Sequence, residues 1–351
     1  MGSPTKTQQQ PVRPRAETTT VAKLRCLLHD DFGNADVLRL ADVPMPEMRP
    51  DDLLVKVMAA GVNRADLLQR EGVYGSQTYG DSSILGLEVA GEVIAVGSAV
   101  SGFAIDDRVM GIVGGGAYAQ YARLDSGMAA AIPPDMPFTD AAAIMESFVT
   151  AWEALANLGK IAAEETVLVH AAAGGIGSAA VQLAKSQGAT VLATASGNNI
   201  GNVLALGADA VFDYRKVDFE AEIIDVTASR GVDLIIDFVG GSYLARNIRS
   251  LAPGGRLVQV GLLGRDDNAI IPLDIMLHNH LQLMGTVMKS RSRDEKRTMV
   301  RRFRDHVLPM MGKELKLIVG AVYPLSAASE AHRRMEVGGV FGKIVLGDFH
   351  L

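Results

Sequence analysis

The chain has 351 residues, nearly half of them apolar and about a fifth charged, with 34 Lys and Arg against 40 Asp and Glu for a net charge of −6. That length exceeds one typical hydrophobic core and points to two domains, and the acidic balance argues against a broad nucleic-acid surface. No apolar run approaches the roughly 20 residues of a membrane span, and a single cysteine, Cys26, excludes an intramolecular disulfide and fits a reducing compartment.

Residues 1–20 are polar, contain proline and are almost free of apolar side chains, so a disordered tail is expected there. From Val21 to about Phe148 the texture is β-rich. Short apolar segments at Lys23–Leu28, Leu53–Ala59, Leu87–Val96, Arg108–Ile112 and Ala117–Arg123 are separated by turn residues. Asn63–Gln69 is the clearest helix of this half, which reads as a partly open barrel. Cys26 lies inside the first strand, where a small buried hydrophobe is the simplest reading. Phe138–Leu158 is helical and bridges to a second texture.

The most informative stretch is Thr166–Gly188. Val167, Leu168 and Val169 form the short apolar run of a buried parallel strand. Ala171, Gly174 and Gly177 follow at three-residue spacing, then a helix ends at Gly188. Small residues let the backbone approach a pyrophosphate, and the helix start offers unpaired N–H groups and a positive dipole end. A glycine-rich turn with no ligand is the plain alternative, but the strand before and the helix after supply the context a dinucleotide site requires. Further strands at Thr190–Thr194, Ala210–Phe212, Leu234–Phe238, Arg256–Val260 and Gln282–Gly285 make six, the count of a Rossmann sheet.

Beyond Met288 the charge density rises. Ser292–Met311 is a basic amphipathic helix with Met299, Phe303, Val307 and Leu308 on its apolar side, its charges reading as a solvated face rather than a nucleic-acid patch. Ser326–Glu336 is another helix, Gly342–Leu346 a strand, and this tail is expected to return to the first domain.

After the second strand of a Rossmann unit an acid normally holds the ribose hydroxyls of NAD. Here Thr194–Asn199 contains no acid, which permits NADPH. Ser196 and Asn199 can donate to a 2′-phosphate, and Arg215 or Tyr214 can close over it from the end of the third strand, with surface charge on a loop the alternative for Arg215. Asp237–Gly241 and Gly261–Gly264, at the ends of the fourth and fifth strands, are expected to line the nicotinamide half through Gly240, Gly261, Leu262 and Leu263. Gly254-Gly255 reads as a tight turn.

Taken together, Asn63–Asp66, Ile84–Gly91, the Ala171/Gly174/Gly177 loop, Asp237–Gly241 and Gly342–Leu346 resemble the medium-chain dehydrogenase/reductase superfamily, and within it the zinc-free, zeta-crystallin-like NADPH:quinone oxidoreductases. The resemblance runs from about Val21 to Leu346. It implies an α/β protein with a GroES-like, partly open β-barrel catalytic domain (21–147 and 289–351) around a Rossmann doubly wound parallel-sheet domain (148–288). Zinc relatives carry Cys where Asn63 stands, His where Leu87 stands and Cys near Glu146, so no metal site is expected. Without that Lewis acid, reduction of an electron-poor quinone or enone by NADPH is the chemistry that remains, and it needs chiefly proximity and a water-poor slot.

The same resemblance implies catalytic roles for Tyr74 at the acceptor mouth and Asn63 beside the nicotinamide, with a purely packing role the alternative for Tyr74. Cofactor contacts are implied for Asn63, Thr150, Ala173, Gly174, Gly175, Ile176, Gly177, Ser196, Asn199, Tyr214, Arg215, Thr286, Val287, Met288, Phe341 and Lys343. The Lys that the family carries near Asn198 or Asn199 is absent. A cytoplasmic homodimer, pairing near Gln282–Met288 and acting on a small-molecule quinone or enone, is the implied setting. The rival readings are an alkenal or enoyl reductase on the same scaffold and a weakly catalytic NADPH-binding protein contacting RNA or a partner through Arg291–Arg304.

Overall fold

Two short antiparallel strands, β1 (Lys23–Leu28) and β2 (Arg39–Pro44), open the chain in the computed structural model, which describes residues 23–74, 82–266 and 268–349. The expected tail 1–20 lies outside the described residues, as does the 75–81 part of the loop after Tyr74. Cys26 is fully buried, and burial pushes its thiol up to about 11, as suits a small core residue.

β3 (Asp52–Val62) organises the first sheet. Most of its eleven residues are buried, and among the described residues it pairs antiparallel with three other strands. Around it lie β4 (Glu88–Val96), β5 (Arg108–Ile112), β6 (Tyr121–Asp125) and β7 (Ala129–Ala131), with helix α1 (Arg64–Arg70) leaving from β3. The strand expected at Ala117–Arg123 begins later, at Tyr121. Gly115 and Gly116 hold positive φ just before it, and Tyr118 turns into the core, its backbone bonded to Leu85 and Leu27. Helices α2 (Phe138–Ala141) and α3 (Met145–Trp152) follow, α3 running on into a π-helical turn at Glu153–Leu158.

The second sheet alternates with helices: β8 (Thr166–Val169), α4 (Gly175–Ser186), β9 (Thr190–Ala195), α5 (Ile200–Leu204), β10 (Ala210–Asp213), α6 (Phe219–Val226), β11 (Val232–Asp237), α7 (Tyr243–Ser250), β12 (Leu251–Gln259), α8 (Leu273–His278) and β13 (Gln282–Gly285). Among the described residues it is six-stranded and parallel in the order β10-β9-β8-β11-β12-β13, the doubly wound order with the strand reversal beside the first strand. Gly254 and Gly255 lie inside β12 rather than before it, where the register against β11 slips between Val232 and Leu234.

α9 (Arg293–His306) is capped by a reciprocal Ser292–Glu295 pair and buries Met299, Val300 and Phe303. β14 (Val319–Pro324), α10 (Ala328–Val337) and β15 (Lys343–Gly347) close the chain. β15 pairs antiparallel with β3 at Ile344↔Val62, so the C-terminal strand joins the first sheet next to the start of α1. α3 packs against α4 and α9, and through it the cores of the two sheets are continuous. No helix among the described residues is long and apolar enough to cross a membrane.

Candidate active site

The glycine loop joins β8 to α4. Ala171 takes a positive φ of 47° and turns the chain away from the sheet. A Cβ on Gly177 would lie 2.3 Å from the Ala171 carbonyl oxygen, so only glycine lets the first turn of α4 close on the loop. Gly174 differs: a Cβ there would meet nothing nearer than that same oxygen at 3.5 Å, leaving open space outward. No side chain caps α4, so its first N–H groups are free for an anion. The loop thus fits a dinucleotide pyrophosphate. From the other side Gly342 N–H binds the Ala173 carbonyl at 2.8 Å, which sets Phe341 and Lys343 against the loop.

Two further loops flank it at the strand ends. The buried Asp237 carboxylate accepts from the N–H groups of Val239 (2.7 Å) and Gly240 (3.2 Å), and from Asn247 Nδ2 at 3.0 Å. This holds Gly240 and Gly241 at positive φ, while Leu263 and Gly264 donate back to Phe238 and Val239. Gly240, Gly261, Leu262 and Leu263 therefore form one ledge beside the glycine loop.

A cavity of about 520 Å³ is lined by Val260, just before this ledge, together with Ile112 of the first sheet. Of the residues expected at the site, it gathers Tyr74, Thr150, Ile176, Thr286, Val287 and Met288. Ile84, Leu85, Leu87, Ile112 and Val113 give it an apolar wall. The Lys289 ammonium sits 3.6 Å from the centroid of the Tyr74 ring and donates to the Tyr74 carbonyl, joining the two sides of the cleft. Burial raises the Tyr74 phenol well above its ordinary value and lowers the Lys289 amine.

Asn63 and Lys343 are placed behind the cavity, not on its wall. Asn63 caps α1, its backbone N–H bound to Asp66 at 2.8 Å, and its Nδ2 donates to Glu88 Oε1 at 3.0 Å. Lys343 Nζ donates to Asn63 Oδ1 at 2.6 Å and pairs with the buried Glu88 carboxylate. A Cβ on Gly61 would fall 2.1 Å from Glu88 Oε1, so the glycine in β3 makes the room this carboxylate fills. Lys343 is thus committed to an internal ion pair, and its methylenes lie where a Gly175 Cβ would be, 2.5 Å from Cδ. The positions where zinc relatives carry thiol or imidazole hold Asn63, Leu87 and Glu146, and among the described residues no three His, Cys, Asp or Glu side chains come together as a metal set.

Sequence reasoning finds no acid/base pair here, yet the fold assembles buried carboxyls at the cavity. Glu146, in the first turn of α3, lines it, and its backbone N–H binds Glu88 Oε2 at 3.0 Å. Burial and the Glu88 charge push the Glu146 carboxyl up to about 8. Burial likewise pushes Asp66 up to about 7, against the Asn63 N–H bond and Lys343. Glu146 carries no sequence signal of this role beyond being an acid in an apolar helix. Lys296, from α9, also faces the cavity.

At the adenosine end the structure redistributes the expected contacts. Asn199 is nearly buried, its Nδ2 bound to Ser196 Oγ and its Oδ1 accepting from Asn202, both at 3.3 Å, so it is engaged within its own turn. Tyr214 is exposed, with the Arg215 guanidinium 5.6 Å from its ring centroid. The acid missing after β9 arrives from the next strand. Asp213 Oδ2 lies 2.6 Å from where a Gly197 Cβ would stand and 3.9 Å from Lys216 Nζ.

Residues 49–134 match the family described as alcohol dehydrogenase GroES-like domain, and residues 175–305 the one described as zinc-binding dehydrogenase. Quinone oxidoreductase of Homo sapiens is 33% identical over 330 residues, spanning 90% of this chain and 95% of the relative. The chain belongs to the medium-chain dehydrogenase/reductase family. As a member of that family it is an oxidoreductase dependent on a pyridine dinucleotide. Mycocerosic acid synthase-like polyketide synthase of Mycobacterium tuberculosis is 32% identical over 349 residues, 96% of this chain but 16% of that protein. Among solved structures, the quinone oxidoreductase of Coxiella burnetii gives a TM-score of 0.76 at 31% identity, covering 93% of this chain and 99% of that one. The ER cyclopropanase CurF of the curacin A biosynthetic pathway gives 0.82 at 28% identity, covering 93% and 100%.

In this medium-chain reductase the basic helix α9 is tied inward. Arg297 pairs with Asp51 at 2.5 Å and Asp125 at 2.9 Å, Arg293 with Asp51 at 3.0 Å, and Arg302 with the buried Glu153 at 3.1 Å. Those pairs tie the helix to the first sheet at Asp51 and Asp125 and to the end of α3 at Glu153.

Proposed function

We propose that this protein is an NADPH-dependent, zinc-independent reductase of quinone-type acceptors, with a dinucleotide domain over 148–288 set between barrel segments 21–147 and 289–351. The observation that carries the reading is the cavity in which Thr150 and Ile176, at the glycine-loop end, share a lining with the apolar wall of Leu85, Leu87, Ile112 and Val113. A flat, electron-poor ring fits such a wall. The likeness to quinone oxidoreductases along nearly the whole chain supports the same substrate class.

When bound, the dinucleotide supplies hydride. The chain's own residues do the rest: the free N–H groups of α4 hold the pyrophosphate, the Gly240–Leu263 ledge seats the nicotinamide half, and the apolar wall excludes water. Tyr74, which keeps its proton, donates a hydrogen bond to the acceptor oxygen. The Lys343 ammonium, packed against Asn63 and Glu88, is the fixed cation where zinc relatives place a metal, and the Asn/Leu/Glu donor set supports zinc independence. Ser196, Tyr214 and Arg215 form the seat of the 2′-phosphate. The charges there, Asp213 against Arg215 and Lys216, leave a net positive field, so NADPH is preferred by a modest margin.

β13 is an edge strand of its sheet, and exposed Leu283 within it and exposed Leu273 and Leu277 on α8 before it support pairing with a second copy along this edge. Reduction of an activated double bond is the second reading, favoured by the similarity to a polyketide synthase and to CurF. NADPH oxidation is measured with a panel of naphthoquinones, phenanthrenequinone, alkenals and enoyl thioesters. Turnover highest with the quinones supports the first reading, turnover confined to enones or enoyl thioesters replaces it with the second, and none with any acceptor refutes both.

A further inference from the structure

We propose that Glu146 is the proton donor of the reaction, delivering its carboxyl proton to the acceptor oxygen that hydride transfer has made basic; this rests on the reductase reading above. Glu146 projects from the first turn of α3 into the acceptor cavity, one turn before Thr150 and in the same cavity as Tyr74 and Ile176. Its carboxyl makes no hydrogen bond among the described residues, although the rest of the residue is fixed: the backbone N–H is bound to Glu88, which Asn63 and Lys343 hold in turn. A carboxyl aimed into a cavity with no protein partner is available to a bound oxygen.

The charged and titratable groups around it explain why it arrives protonated. Glu88 lies behind it and Asp66 beyond, both opposing its ionisation, while Lys343 from β15 and Lys296 from α9 partly offset them. Tyr74 and Lys289 line the same cavity. Burial and Glu88 dominate, and the acid form persists to about pH 8. Burial raises the Tyr74 phenol in the same direction but from a much higher starting value, so it donates a hydrogen bond but releases its proton poorly. An acid with a pKa near the working pH is the better donor to a quinol oxygen.

The step balances. A bound dinucleotide would supply hydride, whose hydrogen and two electrons form one O–H bond of the acceptor and leave the hydroquinone monoanion. The Glu146 O–H bond breaks and the proton forms the other O–H of the hydroquinone. The carboxylate left behind regains a proton from water once product departs. No further oxidant or reductant is involved.

The test compares wild type with Glu146→Gln and Glu146→Asp, using NADPH with a naphthoquinone. Wild-type kcat should fall as pH rises through about 8, E146Q should lose on the order of 10²-fold or more of kcat and show no such limb, and E146D should recover part of both. NADPH affinity by fluorescence titration should be unchanged in all three. In cofactor-free protein, infrared pH-difference spectra should show a protonated-carboxyl stretch that disappears near pH 8, distinct from the Asp66 stretch lost near pH 7, and it should be absent from E146Q. Wild-type turnover with an E146Q rate and pH profile like wild type, or a band lost near pH 8 that survives in E146Q and is absent from Asp66→Asn, overturns this assignment alone. Absence of turnover by wild type with every acceptor overturns the reductase reading and this assignment together.

Discussion

Lys343 Nζ lies 2.6 Å from Asn63 Oδ1, tying the last strand of the chain to the cap of its first helix across 280 residues of sequence. The same ammonium neutralises Glu88, which is fully buried. Removing one member of such a pair leaves an uncompensated buried charge, so Lys343→Met should cost about 3–5 kcal/mol in urea unfolding. Lys343→Met combined with Glu88→Gln should recover most of that loss. A double variant as unstable as the single one would show that packing of the lysine stem under Gly175, not charge pairing, carries the effect.

The two glycines of the phosphate loop should separate stability from binding. Gly177→Ala puts a methyl 2.3 Å from a backbone oxygen that cannot withdraw, and overpacking of this kind costs about 1–3 kcal/mol. Gly174→Ala meets no protein atom closer than 3.5 Å, so thermal unfolding of the cofactor-free protein should be unchanged. Its methyl does enter the space assigned to the pyrophosphate, and dinucleotide affinity should fall roughly 10-fold or more, the scale of a lost charge-assisted hydrogen bond. Equal NADPH affinity for G174A and wild type would move the phosphate elsewhere.

The parts of this protein legible from sequence are those set by local pattern. The run TVLV before a small-residue loop declares β8, and Gly188 declares the end of the helix that follows, because strand burial and helix termination are decided within a few residues. Glu146 and Asp213 were not legible as site residues. Glu146 reads as one acid in an apolar helix, and only the approach of β4 and β15 places Glu88 and Lys343 beside it. Asp213 ends the third strand of the second sheet, and the parallel pairing Asp213↔Ala195 brings it under the Gly197 turn. The partners of Asn199 were not legible either: within the turn its amide is bonded to Ser196 and Asn202. β14 escaped notice because its partner β15 lies beyond a full helix, although its alternating burial is clear once paired.

Cofactor choice turns on the neighbours Asp213 and Arg215. Loss of a charge-assisted bond to phosphate costs about 1.5–3 kcal/mol, so Arg215→Ala should weaken NADPH binding roughly 10- to 100-fold and leave NADH within about 2-fold. Asp213→Asn should act oppositely, raising NADPH affinity with little change for NADH, because it removes the negative charge beside Gly197. Fluorescence titrations of both dinucleotides check this. Unchanged NADPH affinity in R215A would leave Ser196 and Tyr214 as the phosphate seat.

His332 gives the protein an acid-sensitive point far from the glycine loop. Its Nδ1 lies 3.3 Å from Arg70 Nη1, and arginine can only donate, so Nδ1 accepts and Nε2 carries the hydrogen. Nε2 then donates to Tyr118 Oη at 3.2 Å, and the Tyr118 hydroxyl donates to Asp66 at 3.1 Å. A second proton on the ring has no acceptor, and burial together with Arg70 lowers His332 from 6.5 to about 3. Between those two values the unfolded chain binds a proton that the folded chain refuses, so this contribution to stability is complete above pH 6.5 and is lost as pH falls toward 3. Asp66 has the reverse sign: its pKa rises from 3.8 to about 7, so the folded chain keeps a proton the unfolded chain releases, and acidification across that window stabilises. The two slopes, each up to about 1.4 kcal/mol per pH unit, oppose one another from pH 6.5 to 4. His332→Gln should therefore become more stable relative to wild type as pH is lowered through that range, and Asp66→Asn less stable. Urea midpoints between pH 7 and pH 4 measure both differences, and parallel profiles for the three proteins would show that neither group titrates as this network requires.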